Sequence, residues 1–523
     1  MQRAAALLAA LTLLGLAAAV RLPNLTAADP YINYVDEGNF LHPVVPMLRT
    51  GRWDPRWYLY PSLPLIAVAT AARLYDPFRR AAHGGRSLRH DLQPPGWEYD
   101  ILSPEVLRIA RVVNFFVSLA IVALAALLAR RLAGREEGPR AGWAAGLLTA
   151  LVPALAVRGA VAMVDPWAAL FVLAVLFFTD RLRTSRRPGF NLLAAGAMTG
   201  FAFASKYPAV LAGLVPAWLL LRSGRPLREK LRLLLLLAAG AAAGAVAAMP
   251  GLVLHPGAVW AALERQSALY KELTSVPLWR QALVRAEWDI PYDHPEIGAV
   301  FLLFALAGLL AALRDRALAP TAQGWALFAA ATTLLFSLQS FQPFRNLLPL
   351  VAPACILAAL LWARLSAHAA RPLWLDAAGL LVVALLFGIP LAGYVRERLR
   401  LRDSRTEAVD WLAPRLRPED RVLAVRDLQI QPGELARLPG RIDLRPWPGV
   451  LKNLRRRPVR FLLACEPPAA GPGSLPPAER QALLQAFAVR ARFGETPTPP
   501  DPGWWRGNRQ TVYVLERREP APP

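Results

Sequence analysis

Long apolar runs separated by short polar gaps constrain this chain more than any other feature. The first run extends from Ala4 to Val20, and ten more follow between Val106 and Tyr394. A straight helix needs about 20 residues to cross a bilayer, and several runs are shorter, so some helices are expected to be broken or buried within a bundle. The pattern predicts an all-α polytopic membrane protein with about 11 transmembrane helices.

Composition agrees with this class, because 55% of the 523 residues are hydrophobic and only 19% are charged. The formal charge of +23 would suit either nucleic-acid binding or cytoplasmic arginines. Arginines cluster in short gaps at 130–140, 181–187 and 222–232, whereas the short gaps that alternate with them hold only Arg158, Lys206 or Arg345. The positive-inside rule makes the rich gaps cytoplasmic, and no basic stripe with interleaved aromatics is present, so no nucleic-acid partner is expected.

This topology predicts a transmembrane domain over residues 1–394 and an external soluble domain over 395–523. The first run is short and ends in small residues, so a cleaved signal peptide is the alternative to a retained first helix. We adopt the retained helix because the later topology follows from it. Residues 21–105 and 255–296 are then external loops. Localisation to the cell membrane is expected, with a bacterial inner membrane as the setting and a periplasmic tail.

The external loops carry further signals. Leu63 to Leu74 is too short to cross and is flanked by Tyr, Trp and Arg, which predicts a short interfacial helix. The loop 255–296 is rich in Trp and Tyr, as in an aromatic belt at the headgroups, although a lid over a lipid substrate is an alternative. Its aromatic residues are Trp260, Tyr270, Trp279, Trp288 and Tyr292.

The tail after Tyr394 is rich in Pro and Arg and has only short apolar stretches, as in a small α/β domain. Ser404 and Glu407 form a capping-box pattern, and a second helix is predicted near 478–489. Strands are predicted at 421–425, 459–464 and 511–515. The tail contains no Gly-rich phosphate loop and no nucleophile elbow, so it is expected to support or recognise and not to catalyse.

Polar residues gather on the predicted external side. Asp36 and Glu37 follow the first run, Asp165 precedes a later one, Lys206 and Tyr207 form a turn, and Arg345 opens another run. Each has a structural alternative: solvated loop acids, a helix N-terminal acid, a snorkelling lysine or a lipid-anchoring arginine. Together, acids and cations at the outer leaflet suit transfer of a group from an anionic lipid.

Short motifs follow one another in a recognisable order. After Asp36-Glu37 come Gly51-Arg52-Trp53-Asp54-Pro55 and Tyr60-Pro61-Ser62-Leu63-Pro64, then Asp165, Ser205-Lys206-Tyr207-Pro208 and Arg345-Asn346-Leu347-Leu348-Pro349-Leu350. The tail opens with Asp403-Ser404-Arg405-Thr406. This order resembles the GT-C glycosyltransferases related to protein O-mannosyltransferases and to the aminoarabinose transferase of lipid A. The resemblance covers most of the chain.

The resemblance implies an inverting transferase that moves a hexosyl or pentosyl group from a polyprenyl-phosphate donor to a lipid, glycan or protein acceptor on the external face. Asp36 would be the base toward the acceptor hydroxyl, with Glu37 beside it in the catalytic pair. Lys206 and Arg345 would hold the phosphate, and Asp165, Tyr207 and Tyr60 would complete substrate binding. The chain lacks a Lys at Tyr60-Pro61, where aminoarabinose transferases carry Lys-Pro-Pro, and has no β-trefoil domain, which leaves the acceptor open.

The same residues leave a metal site and two other functions open. Asp36, Glu37 and Asp165 could bind a divalent cation, but no cofactor is predicted, because carboxylates alone do not select a metal. A flippase would show inverted repeats, and none is evident. A lipid-linked glycan ligase would show dense external Arg and His loops, which are not evident either. Cys355 and Cys465 form neither a disulfide framework nor a metal pattern.

Overall fold

The computed structural model describes residues 2–31, 35–92, 103–183, 187–271, 299–337, 344–367, 379, 382–383, 387–400, 402–425, 428, 430–445, 450, 454, 459–465, 477–494 and 511–518. Contacts divide the chain into two compact units. The first comprises Met1–Leu25, Phe40–His90 and Glu105–Leu399. The second comprises Thr26–Asn39, Asp91–Pro104 and Arg400–Pro523. The segment around Asp36 therefore packs in one unit with the C-terminal residues.

Helices account for nearly all regular structure before the tail. In chain order they are α1 (Gln2–Arg21), α2 (Pro23–Thr26), α3 (Val35–Leu41), α4 (Val44–Thr50), α5 (Ser62–Ala82), α6 (Pro104–Leu132), α7 (Gly134–Leu151), α8 (Pro153–Arg158), α9 (Asp165–Arg181), α10 (Pro188–Phe203), α11 (Leu214–Arg222), α12 (Leu227–Ala248), α13 (Gly251–Leu254), α14 (Pro256–Lys271), α15 (Ala299–Arg314), α16 (Ala319–Ser337), α17 (Leu348–Ala367) and α18 (Ile389–Arg400). Short 3-10 turns cover Leu88–Asp91, Tyr207–Gly213 and Phe344–Leu347.

Among the described residues, four helical segments are long and apolar enough to cross a membrane. They are Leu7–Thr26, Pro104–Leu132, Leu227–Ala248 and Arg345–Ala367. Shorter apolar helices cover Tyr207–Arg222 and Phe301–Arg314. The predicted number of about 11 spans is therefore not confirmed. Helices such as α9, with 17 residues, and α10, with 16, fall short of the length a straight span needs.

The interfacial helix predicted at Leu63 to Leu74 is longer in the structure. Helix α5 begins at Ser62 and continues to Ala82, over 21 residues. Its polar second half is stabilised by Arg79, which is buried and pairs with Glu105 at 2.6 Å. Apolar periodicity does not extend into that half, so the sequence pattern stops too early.

The C-terminal end of α1 is fixed by buried hydrogen bonds within the first unit. The Arg21 side chain is fully buried, and its Nε donates to Ser118 Oγ at 2.6 Å while Nη1 donates to the carbonyl of Ala150 at 2.9 Å. Asn24 donates to the carbonyl of Val157 at 3.0 Å. These contacts satisfy polar groups that would otherwise be costly to bury. Helix α1 is thus packed against other helices of the first unit, and its retention in the mature protein stays a prediction.

Helices α10 and α12 approach until their backbones touch. A Cβ added at Gly196 would lie 2.2 Å from the carbonyl oxygen of Leu237, and one at Gly200 would lie 2.3 Å from that of Ala241. Gly240 and Gly244 on α12 face α10 in the same way. Small residues at four-residue spacing permit this close packing in membrane helices. Since α10 ends just before Lys206, the pair also determines where that lysine lies.

Replacing Gly200 by leucine is expected to force the two helices apart. Overpacking a tight interface costs about 1–3 kcal/mol or more. The matched control is Gly15→Leu in α1, where nothing lies within 4 Å of the added Cβ. Thermal unfolding in detergent should therefore show a lower transition temperature for Gly200→Leu than for the parent. The transition temperature of Gly15→Leu should equal that of the parent. Equal stability of the two variants would contradict the close contact.

The tail folds as a mixed sheet flanked by helices, in agreement with a small α/β domain. Its strands are β1 (Arg421–Val425), β2 (Arg441–Arg445), β3 (Phe461–Ala464), β4 (Phe487–Phe493) and β5 (Val512–Arg517), in the order β2-β1-β3-β5-β4. Strand β1 pairs in parallel with β2 and β3, whereas β5 is antiparallel to β3 and β4. The helices are α19 (Ser404–Leu412), α20 (Pro432–Leu435) and α21 (Pro477–Ala486).

Two details of the tail differ from the sequence expectations. The N-cap of α19 is Asp403, whose side chain accepts from the backbone N–H of Arg405, so the cap lies one residue before Ser404. Strands β2 and β4 were not expected. Strand β4 lies partly in the segment assigned to the second helix. It contains the strand-favouring Phe487, Val489 and Phe493, and pairing with β5 extends the strand through the alanines and arginines between them.

Candidate functional site

A buried charge cluster joins three segments that are far apart in the sequence. Lys206 Nζ forms an ion pair with Asp165 and donates to Asn346 Oδ1 at 2.8 Å. The side chains are 14% exposed for Lys206 and 5% for Asp165. Because an ammonium has three N–H donors, these contacts leave one for a ligand. We call Asp165, Lys206 and Asn346 the lysine cluster.

Asn346 contributes an unusual polar group to the lysine cluster. Its Nδ2 is buried and meets no hydrogen-bond acceptor within the described part of the chain. An unmade hydrogen bond on a buried donor costs about 1–3 kcal/mol, so such groups are rare in proteins. In the sequence, Asn346 belongs to the motif Arg345–Leu350, and no local signal distinguishes it from its neighbours. The amide and the ammonium together offer N–H donors to an anionic or hydroxylated ligand.

Asp165 owes its place to the loop that precedes α9. Asn114 on α6 donates through Nδ2 to the carbonyl of Met163 at 2.8 Å, and its Oδ1 accepts from Trp167 Nε1 at 2.7 Å. One amide thus fixes the residues on both sides of Asp165. Pro166 at the start of the helix favours this boundary, because its missing N–H is not needed there.

Lys206 lies where α10 has ended and a 3-10 turn begins. Its backbone is extended, with φ −158° and ψ 117°, and its N–H donates to the carbonyl of Ala202 at 2.9 Å. Pro208, two residues on, keeps the chain from continuing as a regular helix. The side chain can therefore leave the helix axis and reach Asp165.

The same turn is fastened to the segment that follows α4. Tyr207 donates its hydroxyl proton to the carbonyl of Tyr58 at 2.6 Å, and the N–H of Leu63 donates to the carbonyl of Ala204 at 3.0 Å. The structure thus brings the Tyr60-Pro61 segment beside the Lys206 turn. Tyr60 itself stacks on Trp57, with ring centroids 5.6 Å apart.

Tyr58 contacts both this turn, through its carbonyl, and the acidic residue Asp54, through its hydroxyl. Its hydroxyl donates to both carboxylate oxygens of Asp54, at 2.9 and 2.7 Å, and His255 Nε2 lies 3.4 Å from Asp54 Oδ2. Burial, and then Asp54, raise the pKa of Tyr58 above that of a free tyrosine, so the hydroxyl remains a donor. Gly251 packs on this ring, where a Cβ would lie 2.4 Å from Tyr58 atoms. Tyr58 and His255 carry no local sequence signal, and Asp54 stands in the sequence only as part of the Gly51–Pro55 motif.

The remaining predicted residues lie on described elements. Asp36 and Glu37 are in α3, and Glu37 is fully buried. Arg345 is half-buried in the 3-10 turn next to Asn346. In the loop 255–296, Trp260 lies on α14 and is exposed, whereas Trp279, Trp288 and Tyr292 lie outside the described residues.

The acidic side chains of the site raise the question of a bound metal ion. Across the described residues, no group of three or more His, Cys, Asp and Glu side chains has the arrangement that would hold a metal ion. Lys206 also occupies one carboxylate oxygen of Asp165. A metal-free reaction therefore stays a prediction for this chain.

The fold is shared with several solved structures. ArnT from Cupriavidus metallidurans, bound to undecaprenyl phosphate, is 16% identical with a TM-score of 0.56, over 97% of this chain and 96% of that chain. The Archaeoglobus fulgidus oligosaccharyltransferase, in complex with Zn and sulfate, is 12% identical with a TM-score of 0.51, over 87% and 68%. The chain therefore has the fold of the GT-C glycosyltransferases.

Sequence comparison points to the same class. The family of dolichyl-phosphate-mannose-protein mannosyltransferases matches residues 105–253, a segment that contains Asp165, Lys206 and Tyr207. No curated protein matches the sequence. The resemblance to GT-C glycosyltransferases of the protein O-mannosyltransferase and aminoarabinose transferase type is thus confirmed, through the fold and through the family match over residues 105–253.

Proposed function

We propose that the protein transfers a hexosyl or pentosyl group from a polyprenyl-phosphate donor to a hydroxyl acceptor on the external face of the membrane, with inversion. The observation that carries this proposal is the lysine cluster, which offers an ammonium N–H and an unpartnered amide N–H inside a GT-C fold. ArnT from Cupriavidus metallidurans was solved with undecaprenyl phosphate, which supports the same class of lipid carrier.

The reaction assigns one role to each group. Asp36 accepts the proton of the acceptor hydroxyl, whose oxygen forms a bond to the anomeric carbon. The bond from that carbon to the phosphate oxygen breaks, and the phosphate leaves with the electron pair. General-base catalysis contributes roughly 10²- to 10⁴-fold. The remaining acceleration comes from donors that stabilise the charge on the leaving phosphate.

The geometry of the lysine cluster suggests how it would bind the phosphate of the donor. Because Lys206 is paired with Asp165, its positive charge is largely neutralised, and it acts through a directed N–H rather than as a free cation. Asn346 Nδ2 supplies the second N–H. Arg345, the residue before Asn346 in the turn, adds positive charge for the phosphate. Tyr207 holds the turn in place, and Asp165 orients the lysine.

The test of this function uses purified protein and a radiolabelled polyprenyl-phosphate sugar, with envelope extract as the source of acceptors. We expect release of free polyprenyl phosphate and inversion at the anomeric carbon of the product. A flippase would leave the lipid-linked sugar intact, and a ligase of lipid-linked glycans would transfer a whole glycan. Either result would replace the proposal.

Activity is expected to survive removal of divalent metal. The catalytic step as proposed needs a base and N–H donors, and Lys206 already neutralises Asp165. Turnover measured in excess EDTA should equal that of the untreated enzyme. Loss of activity in EDTA, restored by Mn²⁺, would show that a metal is required.

The C-terminal domain is expected to lie outside, because the sequence predicts an odd number of spans and a cytoplasmic start. A cysteine introduced at Arg517 on β5, in a chain with Cys355→Ala and Cys465→Ser, should react with a membrane-impermeant maleimide in intact cells. The control is a cysteine at Arg135, which is exposed and predicted to be cytoplasmic. Labelling at Arg135 but not at Arg517 would invert the topology and the assignment of every site residue to the external face.

A further inference from the structure

Tyr31, in the first loop, is completely buried against the C-terminal residues of the second unit. Its hydroxyl donates to Glu434 Oε2 at 3.0 Å and accepts the backbone N–H of Gln431 at 3.0 Å. Both sides of the hydroxyl are thus used, and the partners are some 400 positions away in the sequence. Tyr31 is therefore held by residues of the tail.

Arg405 stacks on the aromatic ring of Tyr31. Its guanidinium carbon lies 3.7 Å from the centroid of the Tyr31 ring, and the arginine is fully buried. Its Nε and Nη2 bond the two oxygens of Asp403 at 2.8 and 3.0 Å, as a bidentate fork. A planar guanidinium can stack and form such a fork at once, which a lysine cannot do.

Glu434 connects the two halves of this arrangement. Thr406 donates to its carboxylate at 3.0 Å, in addition to the bond from Tyr31. Burial raises the pKa of Glu434, and the hydrogen bonds from Thr406 and Tyr31 act against that rise. The hydrogen bonds from Thr406 and Tyr31 therefore stabilise the ionised form of the Glu434 carboxylate. We call Tyr31, Asp403, Arg405, Thr406 and Glu434 the Tyr31 clamp.

A cluster with this much buried charge is costly to build, and hydrophobic residues of similar volume would often stabilise a fold as well or better. What a hydrogen-bonded network adds is a defined position for each member. The member supplied by the loop is Tyr31, five residues before Asp36. On the far side of Asp36, Glu37 is fully buried. Tyr31 is thus held five residues before the proposed base, and the residue directly after that base is buried.

We propose that the C-terminal domain acts as a positioning element for catalysis, with the Tyr31 clamp holding the segment that carries Asp36. This inference rests on the proposed function, since it assigns Asp36 the role of base. Tyr31 and Arg405 are positioning residues and do not touch the substrate. A tail without catalytic motifs thereby gains a defined task in the transfer reaction.

Two variants and one matched control test the Tyr31 clamp in the full-length protein in nanodiscs. Tyr31→Phe removes only the hydroxyl. Arg405→Lys keeps the charge and removes the fork and the stacking. Arg460→Lys is the control, because Arg460 also pairs with an aspartate, Asp420, at 2.7 Å and lies over an aromatic ring in the same sheet domain. It has no part in holding Tyr31.

Both clamp variants are expected to lower kcat by about 10- to 100-fold, as small misplacements of a catalytic group do, with the KM for the donor unchanged. Amide exchange across residues 35–41 should become faster. Arg460→Lys should match the parent in kcat and exchange. In an Asp36→Asn background, Tyr31→Phe should cause no further loss of rate, because the base through which it acts is already absent.

The proposal is overturned if Tyr31→Phe and Arg405→Lys behave like Arg460→Lys, or if kcat falls while exchange at residues 35–41 stays at the parental rate. Amide exchange can be measured without enzyme activity. It therefore tests whether the Tyr31 clamp holds residues 35–41 even if the proposed transfer reaction is not observed. An Asp36→Asn protein as active as the parent would instead remove the proposed base. The two failures are therefore distinguishable.

Discussion

Asp36→Asn should lower turnover by roughly 10²- to 10⁴-fold, the contribution of a general base, while donor binding changes little. Asparagine keeps the size of the side chain and much of its hydrogen-bonding shape but cannot accept the proton from the acceptor hydroxyl. Steady-state kinetics together with equilibrium binding of the donor lipid would measure both quantities on the same preparation.

The matched control for this change is Glu37→Gln at the neighbouring position. The base role is assigned to Asp36 and not to Glu37, so the isosteric amide at Glu37, which is fully buried, should affect turnover less than the change at Asp36. A carboxylate that only shaped the loop would lose stability or donor affinity together with rate. An Asp36→Asn enzyme that turns over like the parent would remove Asp36 from the mechanism.

Lys206→Met should destabilise the first unit by about 3–5 kcal/mol, because it leaves the Asp165 carboxylate buried without its charge partner. The double variant Lys206→Met/Asp165→Leu should recover most of that stability, since the uncompensated charge is then absent. It should not recover transfer, because the N–H donor for the phosphate is lost. Thermal unfolding and the donor-release assay would measure the two effects separately.

The control for the ion pair is Arg225→Met. Arg225 and Glu229 form an i,i+4 pair whose side chains are 39% and 40% exposed. Such pairs contribute only about 0.3–0.5 kcal/mol. If Lys206→Met unfolds no earlier than Arg225→Met, the lysine cluster does not carry the buried charge that the geometry indicates. Full transfer activity in the double variant would remove Lys206 from phosphate binding.

Some parts of the fold could be predicted because their signals are local. Strand β1 has the predicted bounds, since residues 421–425 form a short apolar run between polar turns. Asp165 and Lys206 could be selected because a charged residue beside an apolar run is conspicuous in any window. The family resemblance likewise depends on the order of short motifs, which is readable without a structure.

Other parts depend on contacts between distant residues. That Lys206 is paired with Asp165, 41 positions away, and bonded to Asn346, 140 positions away, cannot be read from any window. The pairing changes the role of the lysine from a free cation to an oriented donor. Asn346 has no distinguishing local pattern, and it becomes conspicuous only once burial leaves its Nδ2 without an acceptor.

The sequence by itself determined the chemical character of this protein: apolar helices, acids and cations in the segments between them, and a polar α/β tail. Hydrophobic periodicity and charge placement are local properties, and these features follow from them. Tertiary structure alone decided that Tyr31 packs with Arg405 and Glu434, so that residues 26–39 join the unit of the C-terminal residues. That choice depends on burial and hydrogen bonding over hundreds of positions, where local propensity carries no information.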